Sequence, residues 1–234
     1  MTLPQLRQAL RSAARPGDAE SARRFFKTGP GEYGEGDVFL GVRVPDVRRL
    51  VRQTDAIAIT DLLELVRSPV HEERQLGLLA SVRRFEQGDG PVRGQILHLY
   101  LRETKFINNW DLVDCSAPNI VGGWMLEHPA DLPRIFKLAG SKDLWKRRIA
   151  IISTLALIRK GRLEPTVKIS RLLLEDRHDL IHKASGWMLR EAGKRDAGVL
   201  RDFLTRHAHA MPRTMLRYAI EKLPPAERKK WMTR

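Results

Sequence analysis

The sequence predicts an all-α protein, a curved solenoid of stacked antiparallel helix pairs with a concave basic face. Three observations carry that expectation. Apolar residues recur at three- and four-residue spacing almost throughout, alternating strand patterns are scarce, and Pro and Gly cut the chain into segments of helical length. Four segments line up without gaps: HEERQLGLLAS, INNWDLVDCSA, DLWKRRIAIIS and DLIHKASGWML begin at residues 71, 107, 143 and 179, a constant step of 36. A period of that size marks stacked helix pairs that bury their apolar faces only against their neighbours. The rival reading is chance alignment of generic amphipathic helices. The third observation is charge: 42 Lys and Arg against 28 Asp and Glu give a net charge of +14. That excess favours an anionic polymer as partner if the cations converge on one face, and only aids solubility if they scatter.

Taken in order, LPQLRQAL opens the chain as an amphipathic helix and stops before Pro16-Gly17. The loop KTGPGEYGEGD, Lys27 to Asp37, lacks the Gly-Lys-Ser/Thr ending and the preceding strand of a phosphate-cradling loop. It is read as a flexible connection whose glycines permit unusual backbone angles. VPDVRRLV follows, then DLLELV up to Pro69, and RQLGLLASV up to the breaker cluster Gly88-Asp89-Gly90-Pro91. Pro129 and Gly140 precede RRIAIISTLALI, which Gly161 closes; VKISRLLL, HKASGWML and TMLRYAIEKL complete the series up to Pro224-Pro225. The tail PPAERKKWMTR reads as a capping helix with a basic end. The total is about a dozen short helices. They are expected to form one domain over 1–234: N-terminal helices and the glycine-rich loop in 1–56, repeats in 57–205, capping helices in 206–234.

Composition excludes several classes. Cys115 is the only cysteine, so there is no internal disulfide framework and no Cys-pair zinc site. The seven histidines are dispersed and no His-Glu-x-x-His occurs, so neither a metal nor another cofactor is expected. No run approaches the roughly 20 apolar residues of a membrane span, and MTLPQLRQALRSAARPGDAE lacks the apolar block of a secretory signal. A bacterial-type cytoplasmic location without a membrane partner is the expectation.

Columns in which one repeat departs from the others point to a site. The fourth column holds Arg74, Trp110, Lys146 and His182, so tryptophan stands at a position read as solvent-facing. The sixth holds Leu76, Leu112, Arg148 and Ala184, which puts a guanidinium where the others pack. The eighth holds Leu78, Asp114, Ala150 and Gly186, and the ninth Leu79, Cys115, Ile151 and Trp187. A carboxylate or guanidinium at a packing position costs stability unless it is paired. Trp110 and Asp114 are four residues apart and share a helix face. Stacking would bring Arg148 and Trp187 to the same groove. The plainer alternatives are an Asp114–Arg148 ion pair between repeats and a Trp187 that merely packs. Cys115 is turned about 100° from Asp114 on a helix and reads as small core, not as a nucleophile.

FLGVRVPDVRRL and, downstream of it, NNWDLVDCSAPNIVGGWML, DLWKRRIAIISTLALIR and IHKASGWMLREAGKRD occur in that order along the chain and resemble the AlkD-like DNA alkylation repair glycosylases, a likeness that spans roughly residues 20 to 205. The resemblance implies a HEAT-like repeat fold and hydrolysis of the glycosidic bond of alkylated purines such as 3-methyladenine and 7-methylguanine, the first step of base excision repair. It implies Asp114 as the catalytic aspartate, Trp110 and Trp187 as the site tryptophans, and Arg148 as a DNA contact. Lys146, Arg147, Lys183, Arg190 and Lys194 lie in or beside the same repeats and are candidates for a phosphate track, although a charged helix is usually just a solvated face. The glycine-rich loop would fold over DNA from the groove edge, with Tyr33 and Arg43 as contacts. The expected partner is double-stranded DNA with alkylated bases, bound by a monomer that associates with the nucleoid when on DNA. Two other classes remain open: a non-catalytic helical-repeat protein that binds DNA structure, and a protein-interaction scaffold, which the positive charge disfavours.

Overall fold

The computed structural model describes residues 1–233. Among them the only extended pairing is an isolated parallel bridge between Val38 and Val70; the rest of the regular structure is helical. The helices are α1 (Leu3–Ser12), α2 (Pro16–Phe25), α3 (Val44–Val51), α4 (Ile59–Val66), α5 (His71–Gln87), α6 (Gly90–Arg102), α7 (Trp110–Asp114), α8 (Gly123–Glu127), α9 (Pro133–Ala139), α10 (Leu144–Arg159), α11 (Glu164–Leu172), α12 (Asp179–Arg195), α13 (Ala197–His207), α14 (Arg213–Ile220) and α15 (Pro225–Met232). They gather into two compact units, Met1–Ser116 and the residues from Ala117 onward. Among the described residues no helix is long and apolar enough to cross a membrane.

The 36-residue step has a physical counterpart inside each unit. In the first, Arg67 donates to Glu103 (2.7 and 2.8 Å) and Gln75 to Asp111 (3.1 Å), each pair 36 residues apart. In the second, Arg162 donates to the Leu126 carbonyl and Arg195 to the Arg159 carbonyl at the same separation (3.3 and 3.2 Å). Residues at equivalent register in successive repeats therefore touch, as stacking of one repeat on the next requires.

In the first unit α5 is central, with α1, α3, α4 and α6 packed on it. Leu76, Leu78 and Phe85 supply its apolar face, but its first turns, His71 through Gln75, are also buried. These polar groups are inside because each has a partner: Arg7 donates to Glu73 (3.0 Å), Arg74 to Asp37 (2.6 Å), and Glu72 accepts the backbone N–H groups of Leu40, Gly41 and Val42.

In the second unit α10 and α12 pack together, α9 and α11 flank α10, and α13 and α14 lie on α12. The crossing of α12 and α14 is close because Gly186 has no side chain: a Cβ there would stand 2.4 Å from the Met215 carbonyl oxygen. Beyond it Leu189, Leu200, Phe203, Leu204, Met215 and Leu216 form a continuous core, which Trp231 of α15 joins. The α15 helix is attached by this buried indole, by the Arg201–Glu227 ion pair and by the Arg213 bond to the Met232 carbonyl.

The second repeat departs from the helix expected from Ile107. A 3-10 turn occupies Thr104–Phe106, and α7 begins only at Trp110, where the Asn109 carboxamide oxygen accepts the Trp110 N–H (2.8 Å). It ends after five residues. Pro118 has no N–H to offer a carbonyl four residues back, and the chain passes through a π-helical turn, Pro118–Gly122, into α8.

Candidate functional site

In the first unit the site is organised around the short α7. Trp110 is its first residue and Asp114 its last, one turn apart, and both are half-buried. The Trp110 indole stacks on Phe26 (centroids 5.4 Å, planes 28° apart) and meets Phe25 edge-on (5.7 Å, 73°). Phe26 continues the stack to Phe39 (5.2 Å, 12°), and the His71 ring lies against both, 5.0 Å from Phe26 and 4.5 Å from Phe39. Phe25 leaves much of its ring in solvent, 64% exposed. Trp110 is therefore part of an aromatic stack that runs from Phe25 at the surface to the buried Phe39 and His71, rather than an isolated exposed indole.

The fourth repeat column is not a solvent face. Arg74, the equivalent of Trp110 one repeat earlier, is buried and donates to Asp37 and to the Ser68 carbonyl (2.6 and 3.1 Å). Asp37 ends the glycine-rich loop and also faces His71 Nδ1 (3.0 Å) and Asn109 Nδ2 (3.4 Å). Burial opposes its charge, but the His71 hydrogen bond and the Arg74 guanidinium outweigh it and hold the carboxyl below its usual range. The other ring nitrogen of His71, Nε2, lies 2.8 Å from Asp111. Burial again opposes the charge, yet the two carboxylates raise the imidazole to about 8.

The glycine-rich loop does not present open amides. Glu32 accepts the Gly29 N–H and Glu35 the Gly31 N–H, both at 2.9 Å, so its own carboxylates occupy what an anion would need. Arg43, beyond the loop, immediately precedes α3, is exposed, and donates to Asp18 (2.8 Å). Arg43 and Asp18 line, with Phe25, Phe26, Phe39 and Asp111, a cavity of about 650 Å³. The Cys115 thiol is pushed up by burial and by the Asp111 and Asp114 carboxylates, which disables it as a thiolate nucleophile.

The remaining candidates belong to the second unit. Arg148 on α10 is buried, 4% exposed, and its Nη1 donates to the Leu180 carbonyl (2.6 Å). Asp143 caps the same helix through the N–H groups of Trp145 and Lys146, which leaves Lys146 half-buried in the first turn. Trp187 on α12 is half-buried and lines a groove of about 580 Å³ with Leu155, Ile158, Arg159, Glu191, Lys194 and Arg195. Lys183 pairs with Asp179 (2.7 Å), Lys194 with Glu191 (2.7 Å), and Arg190 with Glu191 and Glu221. Arg147 is bound within the fold: it donates to Asp176 (2.5 Å) and to the carbonyls of Ser141 and Lys142 (3.0 and 2.8 Å).

That binding gives a direct expectation for Arg147. With side chains only 17% and 5% exposed in the Arg147–Asp176 pair, Arg147→Ala strands a buried carboxylate and is expected to cost about 3 kcal/mol in urea unfolding. An unchanged unfolding midpoint with a marked loss of duplex affinity would instead assign the guanidinium to a phosphate.

Sequence reasoning missed Phe26, Asp37, His71 and Asp111. One signal was available: HEERQ at the start of a repeat whose other copies are richer in apolar residues. Among the described residues no group of three or more His, Cys, Asp or Glu side chains is placed to hold a metal ion.

Comparison with known proteins adds independent findings. A sequence model of a family described as DNA alkylation repair enzyme matches residues 6–223. The fold is similar to the solved structure of a predicted DNA alkylation repair enzyme from Enterococcus faecalis. The TM-score is 0.70 at 18% identity, covering 91% of this chain and 97% of that one. At that identity the likeness is one of fold. No curated protein sequence matches the chain.

Proposed function

Because the chain belongs to the family of DNA alkylation repair enzymes, we propose that it is a glycosylase hydrolysing the N-glycosidic bond of cationic alkylated purines, such as 3-methyladenine and 7-methylguanine, in duplex DNA. The observation that carries this reading is the pairing on α7 of a half-buried carboxylate, Asp114, with an indole, Trp110, one turn away. The carboxylate can stabilise an oxocarbenium-like sugar and the indole face can support it.

Alkylation at N3 or N7 makes the purine a cation, so the leaving group departs as a neutral base and needs no general acid. The remaining task is to stabilise positive charge on the deoxyribose and deliver water to its anomeric carbon. A carboxylate attracts that charge and orients or deprotonates the water. Indole faces favour the same charge by about 0.5–2 kcal/mol each, the role assigned to Trp110 and Trp187. Arg148 is proposed to hold a phosphate beside the lesion. Lys146, Lys183, Arg190 and Arg43 are proposed to supply the sequence-independent part of duplex binding, whose hallmark is a steep loss of affinity with salt.

The test is release of 7-methylguanine from a methylated duplex by the purified protein, beside an unmethylated control. Release confined to the methylated duplex is expected. Salt-sensitive duplex binding without release would replace this reading with that of a non-catalytic protein that binds DNA structure.

A further inference from the structure

A five-residue helix does not hold itself together in water. The geometry of Trp110 and Asp114 must therefore come from what grips α7 from outside. Leu112 and Val113 anchor it by burial, and its polar grips are the Asn109 cap and Asp111, whose Oδ2 faces His71 Nε2 at 2.8 Å and accepts from Gln75 Nε2 at 3.1 Å. His71 reaches with its other nitrogen, Nδ1, to Asp37 Oδ2 at 3.0 Å. Both ring nitrogens thus face carboxyl oxygens, and with both carboxyls ionised only the imidazolium form donates at both. The same ring lies against Phe26, which stacks on Trp110. His71 therefore touches α7 by two routes, one polar through Asp111 and one aromatic through Phe26.

We infer that His71 is a positioning residue of this site: its imidazolium pins α7 to the end of the glycine-rich loop, and loss of its proton releases Trp110 and Asp114 from their working geometry. The inference rests on the glycosylase reading for its catalytic consequence and on the hydrogen-bonded chain for its structural one. The charged groups around the ring are Asp37 at the loop end, Asp111 on α7 and Arg74 on α5, the last bonded to Asp37. The neighbouring Glu72 is turned to the backbone of Leu40, Gly41 and Val42, and Arg43 to Asp18. The imidazole sits at about 8 in the fold against 6.5 ordinarily. Its contribution is complete below 6.5 and is lost as pH rises through about 8.

The experiment compares the full-length wild type with His71→Gln and Asp111→Asn in two readouts, from about pH 6 to about pH 9.5, the span that brackets the titration. One is the single-turnover rate of 7-methylguanine release. The other is amide hydrogen exchange across residues 108–116, corrected for the intrinsic pH dependence of exchange, which needs no catalysis. The wild type is expected to lose rate and local protection together through about pH 8. His71→Gln is expected to be slower by about 10- to 100-fold at neutral pH, the usual effect of misplacing a reacting group, to be unprotected at 108–116, and to lack the alkaline fall. Asp111→Asn keeps the side-chain shape and serves the same purpose should the histidine variant not fold.

Folded variants with wild-type protection and an unchanged alkaline fall would overturn the inference, as would wild-type protection that ignores pH. If no protein releases base but protection at 108–116 still follows His71, the glycosylase reading fails and the positioning role stands. Base release without any dependence on His71 has the opposite meaning.

Discussion

Asp114→Asn is expected to lower the single-turnover release of 7-methylguanine by about 10²- to 10³-fold, the range typical for removal of one preorganised electrostatic contact from a transition state. The substitution keeps the shape of the side chain at the end of α7 and removes its charge. A neutral amide neither attracts a developing oxocarbenium ion nor takes a proton from water, so the loss falls on the chemical step. Duplex affinity should hardly change. Binding to phosphate is a sum over many cations on a chain of net charge +14, and deleting one negative charge makes that sum slightly more favourable. The informative pair is therefore rate and affinity measured at one salt concentration. A variant that retains the wild-type rate within about threefold, less than any catalytic carboxylate contributes, would remove Asp114 from the chemistry. It would then leave the residue as a structural acid beside Cys115 and Tyr100, whose ionisation it already opposes.

The helices were legible because a 3.6-residue period survives any tertiary context that buries one face. LPQLRQAL, VPDVRRLV and RRIAIISTLALI lie wholly in helices and TMLRYAIEKL does so up to Ile220, and the 36-residue step reappears as hydrogen bonds between Arg67 and Glu103 and between Gln75 and Asp111. Trp110 and Asp114 were legible as departures from their columns. The support beneath them was not, because it joins segments far apart in the chain: His71 meets Asp37 across 34 residues and Asp111 across 40. A polar run such as HEERQ reads as a solvated face unless its partners are known, and Asp111 reads as an ordinary acid in a first turn. The glycine-rich loop, read as a flexible connection and not as a phosphate cradle, carries one feature its composition does not announce. Glu32 and Glu35 accept the Gly29 and Gly31 N–H groups internally.

The largest stability effect is expected at Glu72. Its buried carboxylate accepts three consecutive backbone N–H groups: Leu40 at 3.0 Å, Gly41 at 2.8 Å and Val42 at 3.2 Å. Glu72→Ala leaves all three donors without their acceptor. At about 1–3 kcal/mol for each buried donor, discounted for water entering the space, urea unfolding should show a loss of about 3–5 kcal/mol. The segment has no ready alternative. Gly41 sits at φ +79, and a Cβ there would stand 2.2 Å from the Arg15 carbonyl oxygen, so the backbone is wedged where Glu72 holds it. Glu72→Gln retains one acceptor oxygen but turns an NH₂ toward a row of donors, and should fall between the two. The consequence extends to the site, because Leu40, Gly41 and Val42 directly follow Phe39, and Phe39 forms one wall of the His71 ring. At a temperature where Glu72→Ala is still folded, base release should fall as well, with a wild-type dependence on salt, since no phosphate contact has been touched. An unfolding free energy within about 0.5 kcal/mol of wild type, the range of an ordinary surface substitution, would mean that water serves these three amides as well as the carboxylate does. Glu72 would then have to be explained by the site alone.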